Sequence, residues 1–461
     1  MNALNLFRSL KNPVFARLYA AQTTSLLGDA LTWVGLALLA FEIAGKNSAV
    51  VLASALTLRV TAFVFLSPLA GAIADRYDRK RIMVITHVAR MLIVSLLPFV
   101  TQAWHIYGLI LALNVFNAFF TPTYQATISL VTEPDEYLQA IALSSATYQL
   151  LGVLGPGLAG SVAAFMGARQ VFFLDALSFL VAAVLIVTLP GKLRVAQNQS
   201  VRTAGKTWQD IKEGTTRLLT DPPIRYALAM QLVASIAGAQ ILVNTVGYVQ
   251  GTLHLGNQQY GWVMASFGIG ATLASIVFGS FAQRLARTTF ALMGAALITI
   301  ALLPASAANL PLLMVFWLVA GAGQSWVNLP TQTLIADRIP KEIQGRVYGA
   351  HFAWSHLWWA FSYPLAGWLG SSFPHNSFLW GGLVGLGLLA IIQLTLSPHQ
   401  RPLSLSASER SSVEQREQPT IGHDHSHVHD EYHQHQHASG TLESEPHVHD
   451  HTHDLRHLHS P

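Results

Sequence analysis

Gly71-Ala72-Ile73-Ala74-Asp75-Arg76-Tyr77-Asp78-Arg79 and, 208 positions later, Gly279-Ser280-Phe281-Ala282-Gln283-Arg284-Leu285-Ala286-Arg287 read as two copies of one loop. Each leaves a long apolar run and ends in basic residues. The offset recurs: Pro122 precedes Pro330 by 208 and Pro156 precedes Pro364 by 208, while Pro134-Asp135-Glu136 returns as Pro340-Lys341-Glu342 after 206. Four matches in register mark an internal duplication.

Around these loops the chain divides into apolar runs of about 20 residues or more, the length that crosses a bilayer at ~1.5 Å rise per residue. The runs fall near 15–42, 48–74, 82–102, 105–130, 138–166 and 170–190, then 224–247, 259–281, 289–307, 310–335, 345–370 and 377–398. The fold expected is an all-α membrane protein of twelve transmembrane helices in two parallel six-helix repeats. The first half spans 1–190 and the second 223–398. Residues 191–222 form a cytoplasmic linker, polar at first and then amphipathic from Trp208 to Leu219, and 399–461 form a tail. Two halves in the same orientation are the plan of a rocking transporter, with the substrate path between them.

Composition agrees with this reading. Hydrophobic residues make up 52% and charged residues 11%, against roughly a quarter charged in soluble domains. There is no cysteine, so disulfides, thiolate metal sites and cysteine catalysis are excluded. The net charge of +4 hides two opposite parts: the tail has four arginines against ten carboxylates (4 − 10 = −6), the body 23 basic against 13 acidic residues (23 − 13 = +10). Nineteen Lys and Arg flank the membrane on the N-terminal side, while Lys46 and Arg169 alone lie in loops on the other. The positive-inside rule therefore places both termini in the cytoplasm of a multi-pass inner-membrane protein. No soluble basic face is left for a nucleic-acid partner, and the partner implied is the lipid bilayer.

Polar groups at mid-depth are candidates for function, because a charge at the bilayer centre costs at least ~2.5–3.5 kcal/mol. Asp29 lies midway along the first span. Arg59 stands twelve residues before Gly71, about 18 Å along a helix and also near mid-depth. The two are expected to neutralise each other across spans one and two, either as a static bridge or with Asp29 as metal ligand or proton carrier. Asp175 is expected to cap or pair near the outer end of span six, and Arg90 to snorkel to the inner face. Asn114 and Asn117 read as interhelical hydrogen-bond groups beside the path. His351 and His356, in the eleventh span, lie about 140° apart on a helix, so one of them could face the path.

From Gln400 onward hydrophobicity collapses and the chain is expected to be disordered. One block carries His423, His425, His427, His429, His433, His435 and His437; a second carries His447, His449, His451, His453, His457 and His459. These are thirteen histidines in 37 positions, interleaved with Asp424, Asp430, Asp450 and Asp454. In extended chain, residues i and i+2 point the same way about 7 Å apart, so a flexible backbone can gather several imidazoles on one ion. Neutral imidazole suits Ni, Cu and Zn, and spacing alone does not rank them.

The stretch Gly71 to Arg81 resembles the loop signature of the major facilitator superfamily, departing at Asp78, where Gly is usual. The resemblance implies that Asp75 and Arg79, with Gly71 and Arg76, form a latch between helix ends. In the second half Gln283 stands at the equivalent place and weakens any latch there. Gly155-Pro156-Gly157-Leu158-Ala159-Gly160 resembles the Gly-Pro motif of the superfamily's proton-driven exporters. Asn114 to Pro122 and Phe173 to Phe179 resemble a subgroup that includes siderophore and macrolide exporters and nickel-resistance permeases with histidine-rich C-termini. What this implies is a transporter and not an enzyme: efflux of Ni²⁺, with Co²⁺ or Zn²⁺ as further candidates, by proton antiport. A drug or siderophore exporter with a metal-responsive tail is the alternative.

Overall fold

The computed structural model describes residues 7–191, 193, 204–281 and 285–397, with the pairs 426–427 and 447–448. Thirteen long helices account for nearly all of the described residues in the first unit. The N-terminal six are α1 (Pro13–Ala44), α2 (Ser48–Arg76), α3 (Arg79–Leu96), α4 (Ala103–Val131), α5 (Pro134–Met166) and α6 (Val171–Val187). The linker helix α7 (Ala204–Thr220) follows, then α8 (Pro222–Val246), α9 (Asn257–Phe281), α10 (Arg287–Leu302), α11 (Leu310–Arg338), α12 (Lys341–Ser372) and α13 (Ser377–Leu396). Each of the twelve expected spans corresponds to one helix. The amphipathic segment expected from Trp208 to Leu219 lies within α7, where Arg346 of α12 bonds Glu213 at 2.5 Å.

Local chemistry fixes the helix ends. The Asn12 side chain accepts from the backbone N–H of Val14 and Phe15, with Pro13 opening α1, a pairing of cap and N1 proline that satisfies otherwise orphaned donors. Asp221 and Asn309 cap α8 and α11 in the same way. Asp78, the residue at which the loop departs from the usual signature, caps α3 through Lys80 N–H and also accepts from Leu193 N–H. The departure thus ties the second-third loop to the start of the linker. Gly45 and Gly167 end α1 and α5 with φ of +50° and +96°, a conformation that disfavours a side chain.

Among the described residues, eight stretches are long and apolar enough to cross a membrane unaided, the first running through α1 into α2. Helices α5, α6 and α12 fall outside that set; α12 carries His351, Ser355, His356 and four tryptophans, which dilute its hydropathy.

Between the halves, close approaches are made by small residues. Gly157 of α5 faces Ala265 of α9, and Gly160 lies so near Gly261 that a Cβ on either would strike the other's backbone. Across α2 and α12, Gly367 packs on Ala49 and Ala53, and Gly370 on Ala49. Phe41 of α1 comes against Gly251, just past α8. All of these positions lie toward the end of the bundle away from Pro13. Small residues let backbones approach where lipid offers no hydrophobic drive to association.

In the second unit, Ser426–His427 pairs antiparallel with His447–Val448, His427 opposite His447. This short ladder is an exception to the expectation of a tail without regular structure. Alternating His-x-His is compatible with extended backbone. The other tail histidines, 423, 425, 429, 433, 435, 437, 449, 451, 453, 457 and 459, lie outside the described residues.

Candidate functional site: a buried charge cluster and a histidine pair

The interior of the N-terminal half holds a sealed polar layer built by α1, α3, α4 and α6. Arg90, 1% exposed, sits between the rings of Phe120 and Phe179, its Cζ 4.5 and 4.4 Å from their centroids. One guanidinium nitrogen donates to Asn117 Oδ1 at 2.6 Å and another to His87 Nδ1 at 2.8 Å. The expectation that Arg90 snorkels to the inner face is overturned. Cation–π contact on both faces and two hydrogen bonds hold it inside the bundle.

Arginine only donates, so His87 Nδ1 accepts; in the neutral ring its proton is therefore on Nε2. That Nε2, Arg90 Nε and Asn114 Oδ1 are buried without a hydrogen-bond partner among the described residues. Asn114 turns its amide nitrogen back to Ile110 O. Asn117 therefore serves the layer directly, and Asn114 lies one turn along with an acceptor to spare.

Asp175 of α6 is fully buried. Its Oδ2 accepts from Thr32 at 2.5 Å and its Oδ1 from Ser178 at 3.0 Å. Gly28 makes this possible, because a Cβ there would overlap both the Ser178 hydroxyl and the Asp175 carboxylate. Gly28 and Thr32, four residues apart, share one face of α1. Asp29, about 100° further round the helix, is half-buried. The expected Asp29–Arg59 bridge is not the arrangement found. Arg59 lies over the Trp33 ring at 4.1 Å and makes no ion pair with Asp29 among the described residues, although its charge and that of Arg90 both act on Asp29. Trp33 follows Asp29 by one turn, and its indole face takes the guanidinium instead.

Of the two histidines of α12, His351 is buried against α8 and His356 lies beside Phe63 of α2. His351 Nε2 donates to Gln231 Oε1 at 2.9 Å, and Gln231 reaches Asn328 at 3.5 Å. His356 Nδ1 donates to Phe352 O at 2.8 Å, leaving Nε2 its lone pair. The His356 ring packs 3.9 Å from Phe352 and 6.3 Å from Phe63 of α2. The charge of Arg59 acts on His356 and on Tyr363. Both histidines thus keep one unprotonated nitrogen in the neutral ring. No group of three or more His, Asp or Glu suited to a metal gathers among the described residues.

Of the latch residues, the side chains of Asp75 and Arg76 and the burial of Gly71 lie outside the described residues. Arg79 is buried and donates to Ala126 O of α4 at 2.6 Å. Its counterpart Arg287 bonds Asp337 of α11 at 3.2 Å, so the repeated arginine ties the corresponding helix pair in each half. In the helix-five motif, Gly155 approaches Ala30 and Gly160 makes the contact with Gly261. The Pro156 side chain lies outside the described residues.

Sequence reading missed His87 and Arg90 as a unit. The available signal was their spacing: two basic side chains three apart on one face of an apolar span, opposite an asparagine on the next.

Six helices, a linker helix and six helices again, with a buried charged layer in the first half, are the architecture of a transporter of the major facilitator fold. The family described as transmembrane secretion effector matches residues 5–358, and the chain belongs to it. An uncharacterized transporter of the same superfamily, YfiS of Bacillus subtilis (strain 168), is 28% identical over 86% of this chain and 97% of its own. The multidrug efflux pump Tap of Mycolicibacterium fortuitum is 24% identical over 86% and 98%. The solved nucleoside transporter NupG superposes with a TM-score of 0.65 at 13% identity, covering 84% of this chain and 99% of that one, a likeness of fold.

Proposed function

We propose that this chain exports divalent transition-metal ions from the cytoplasm, nickel first and cobalt or zinc after it, in exchange for protons. The observation that carries the reading is the attachment of thirteen histidines in two blocks to the bundle of an efflux family. Imidazole nitrogen is the ligand that Ni and Zn share, and the resemblance to nickel-resistance permeases selects among them. The halves meet through small residues at the end away from Pro13; with the termini in the cytoplasm, cargo enters from the inner side. Asp29, half-buried and acted on by two arginines, is the carboxylate on that route, and His351 and His356 offer it one imidazole each. The tail captures cytoplasmic metal and is not the path.

Uptake into everted membrane vesicles, measured over a panel of cations with an imposed pH gradient, tests this. Accumulation of Ni²⁺ above Mg²⁺ and Ca²⁺ is expected, with cells lacking the protein becoming nickel-sensitive. Resistance that changes for a macrolide or siderophore and for no metal would transfer the assignment to the second reading, an organic exporter with a metal-responsive tail. That reading draws on the aromatic rings near Arg59 and His356, Trp33 and Phe63, with the Trp359–Tyr363 pair of α12, and on the likeness to a multidrug efflux pump.

A further inference from the structure

Asp175 is a buried carboxylate to which the proposed exchange gives no role, and three observations converge on it. It is fully buried, packed against α1 at Gly28 and Thr32. Its two oxygens are held by hydroxyls, Thr32 and Ser178, and by no cation among the described residues. Within electrostatic reach lie Asp29 on α1 and Arg90 on α3, and Arg90 binds neither acid. It binds two neutral acceptors, Asn117 Oδ1 and His87 Nδ1, while its own Nε–H and His87 Nε2–H have no partner among the described residues.

In a layer of low dielectric, a bare carboxylate attracts a neighbouring guanidinium more strongly than an amide oxygen or an imidazole nitrogen does. An arginine fixed to neutral acceptors with a donor to spare is the arrangement that a protonated Asp175 permits. We propose that Asp175 is the proton-binding carboxylate of the cycle and that Arg90 is the group that follows its charge. On release, the O–H bond of Asp175 breaks, its electron pair stays on the carboxylate, and the proton passes by way of Asp29 to water in the path. Arg90 then leaves Asn117 and His87 for Asp175, which shifts α3 against α4. Rebinding of a proton returns it. The charged and titratable groups around Asp175 are Asp29 from α1 and His87 and Arg90 from α3, with Arg59 of α2 acting on Asp29.

This inference rests on proton exchange but not on the identity of the cargo, and its test separates the two. Infrared difference spectra of the purified full chain, recorded between acidic and alkaline buffer, read the carbonyl stretch of a protonated carboxyl directly. Wild type is expected to lose such a band on alkalinisation, and Asp175→Asn to lack it while Asp29→Asn keeps it. In proteoliposomes loaded with Ni²⁺, and separately with ethidium, Asp175→Asn should retain exchange of labelled for unlabelled cargo and lose all acceleration by an imposed pH gradient. Should Asp175→Asn fail to insert, Thr32→Val keeps the acid and removes a hydrogen bond to it; the same band should then shift in frequency and in midpoint pH. A band that survives Asp175→Asn and vanishes in Asp29→Asn overturns the proposal. So does full pH-gradient acceleration in Asp175→Asn, or an unshifted band in Thr32→Val. Absence of Ni²⁺ transport with the band intact would overturn the metal reading alone.

Discussion

The two halves repeat one architecture yet differ at their centres. Moving 208 positions along the chain from Asp29, His87, Arg90 and Asp175 arrives at Ala237, Ala295, Ile298 and Leu383. The first three of these are buried among apolar side chains, and Leu383 is exposed. The second half instead carries neutral amides and aromatic rings: Gln231 bonded to His351, Asn244 to Gln240, and Trp317 to Thr245. Duplication preserved the side-chain cap that opens each half (Asn12 and Asp221), the proline pairs and the loop arginines Arg79 and Arg287, but not the Asp78 cap, where Ala286 stands in the second half. It did not preserve the charges, which are expensive in hydrocarbon and persist where something uses them. Under the proposed function, coupling belongs to the N-terminal half and cargo contact to the histidines of α12.

The largest effect expected on this division is from Asp29→Asn. Transport should fall about a hundredfold or more, a loss of ~2.7 kcal/mol in barrier terms, with the protein still present in the membrane by immunoblot. Full activity in an Asp29→Asn, Arg59→Gln double variant would reduce both residues to a static element and break the comparison at its strongest point.

Gly28→Ala should follow. The added methyl overlaps Asp175 and Ser178, and overpacking of this kind costs ~1–3 kcal/mol. Thermal unfolding of the purified protein, read by tryptophan fluorescence, should show a lower midpoint. Gly349→Ala, inside α12 where nothing lies within 4 Å of a new Cβ, is the control and should not destabilise, a helical Gly→Ala change gaining about 0.5–1 kcal/mol. Equal destabilisation in both would mean that the sealed layer is no more tightly built than the second half.

A smaller effect is expected from His351→Gln and His356→Gln. Each should raise the half-saturation for Ni²⁺ by about tenfold at most, ~1.4 kcal/mol, and leave acceleration by a pH gradient unchanged. Loss of that acceleration in either variant would move coupling into the second half. Truncation after Gln400 should be the mildest change. Half-saturation rises when free metal is scarce, because a local reservoir of ligands is lost, while the maximal rate is kept. A truncated chain that is correctly inserted and inactive at saturating Ni²⁺ would make the tail part of the mechanism.

Much of the fold was legible from sequence. Hydrocarbon forces every backbone donor into a helix, so span positions follow from apolar length, and the duplicated loop sets the halves in register. The depth of Asp29 and Arg59 could also be counted along their helices. Their partners could not be, because partner choice depends on helix rotation. Trp33, one turn from Asp29, took the guanidinium that an ion pair would have used. Arg90 was misplaced for the same reason: depth alone suggested an escape to the inner face, and only the packing of Phe120 and Phe179 shows why it stays. Gly28 could be read as a small residue, but its purpose required knowing that α6 brings Asp175 against it.

Gly160 and Gly261 meet main chain to main chain, and a contact of that kind behaves as a bearing. No side chain must change rotamer when one surface turns on the other, so nothing at that point stores energy as the halves swing. The same bareness makes the joint easy to jam. A single methyl on either glycine acts as a wedge, and a wedged transporter populates one orientation long enough to be trapped, imaged or used to raise conformation-specific binders.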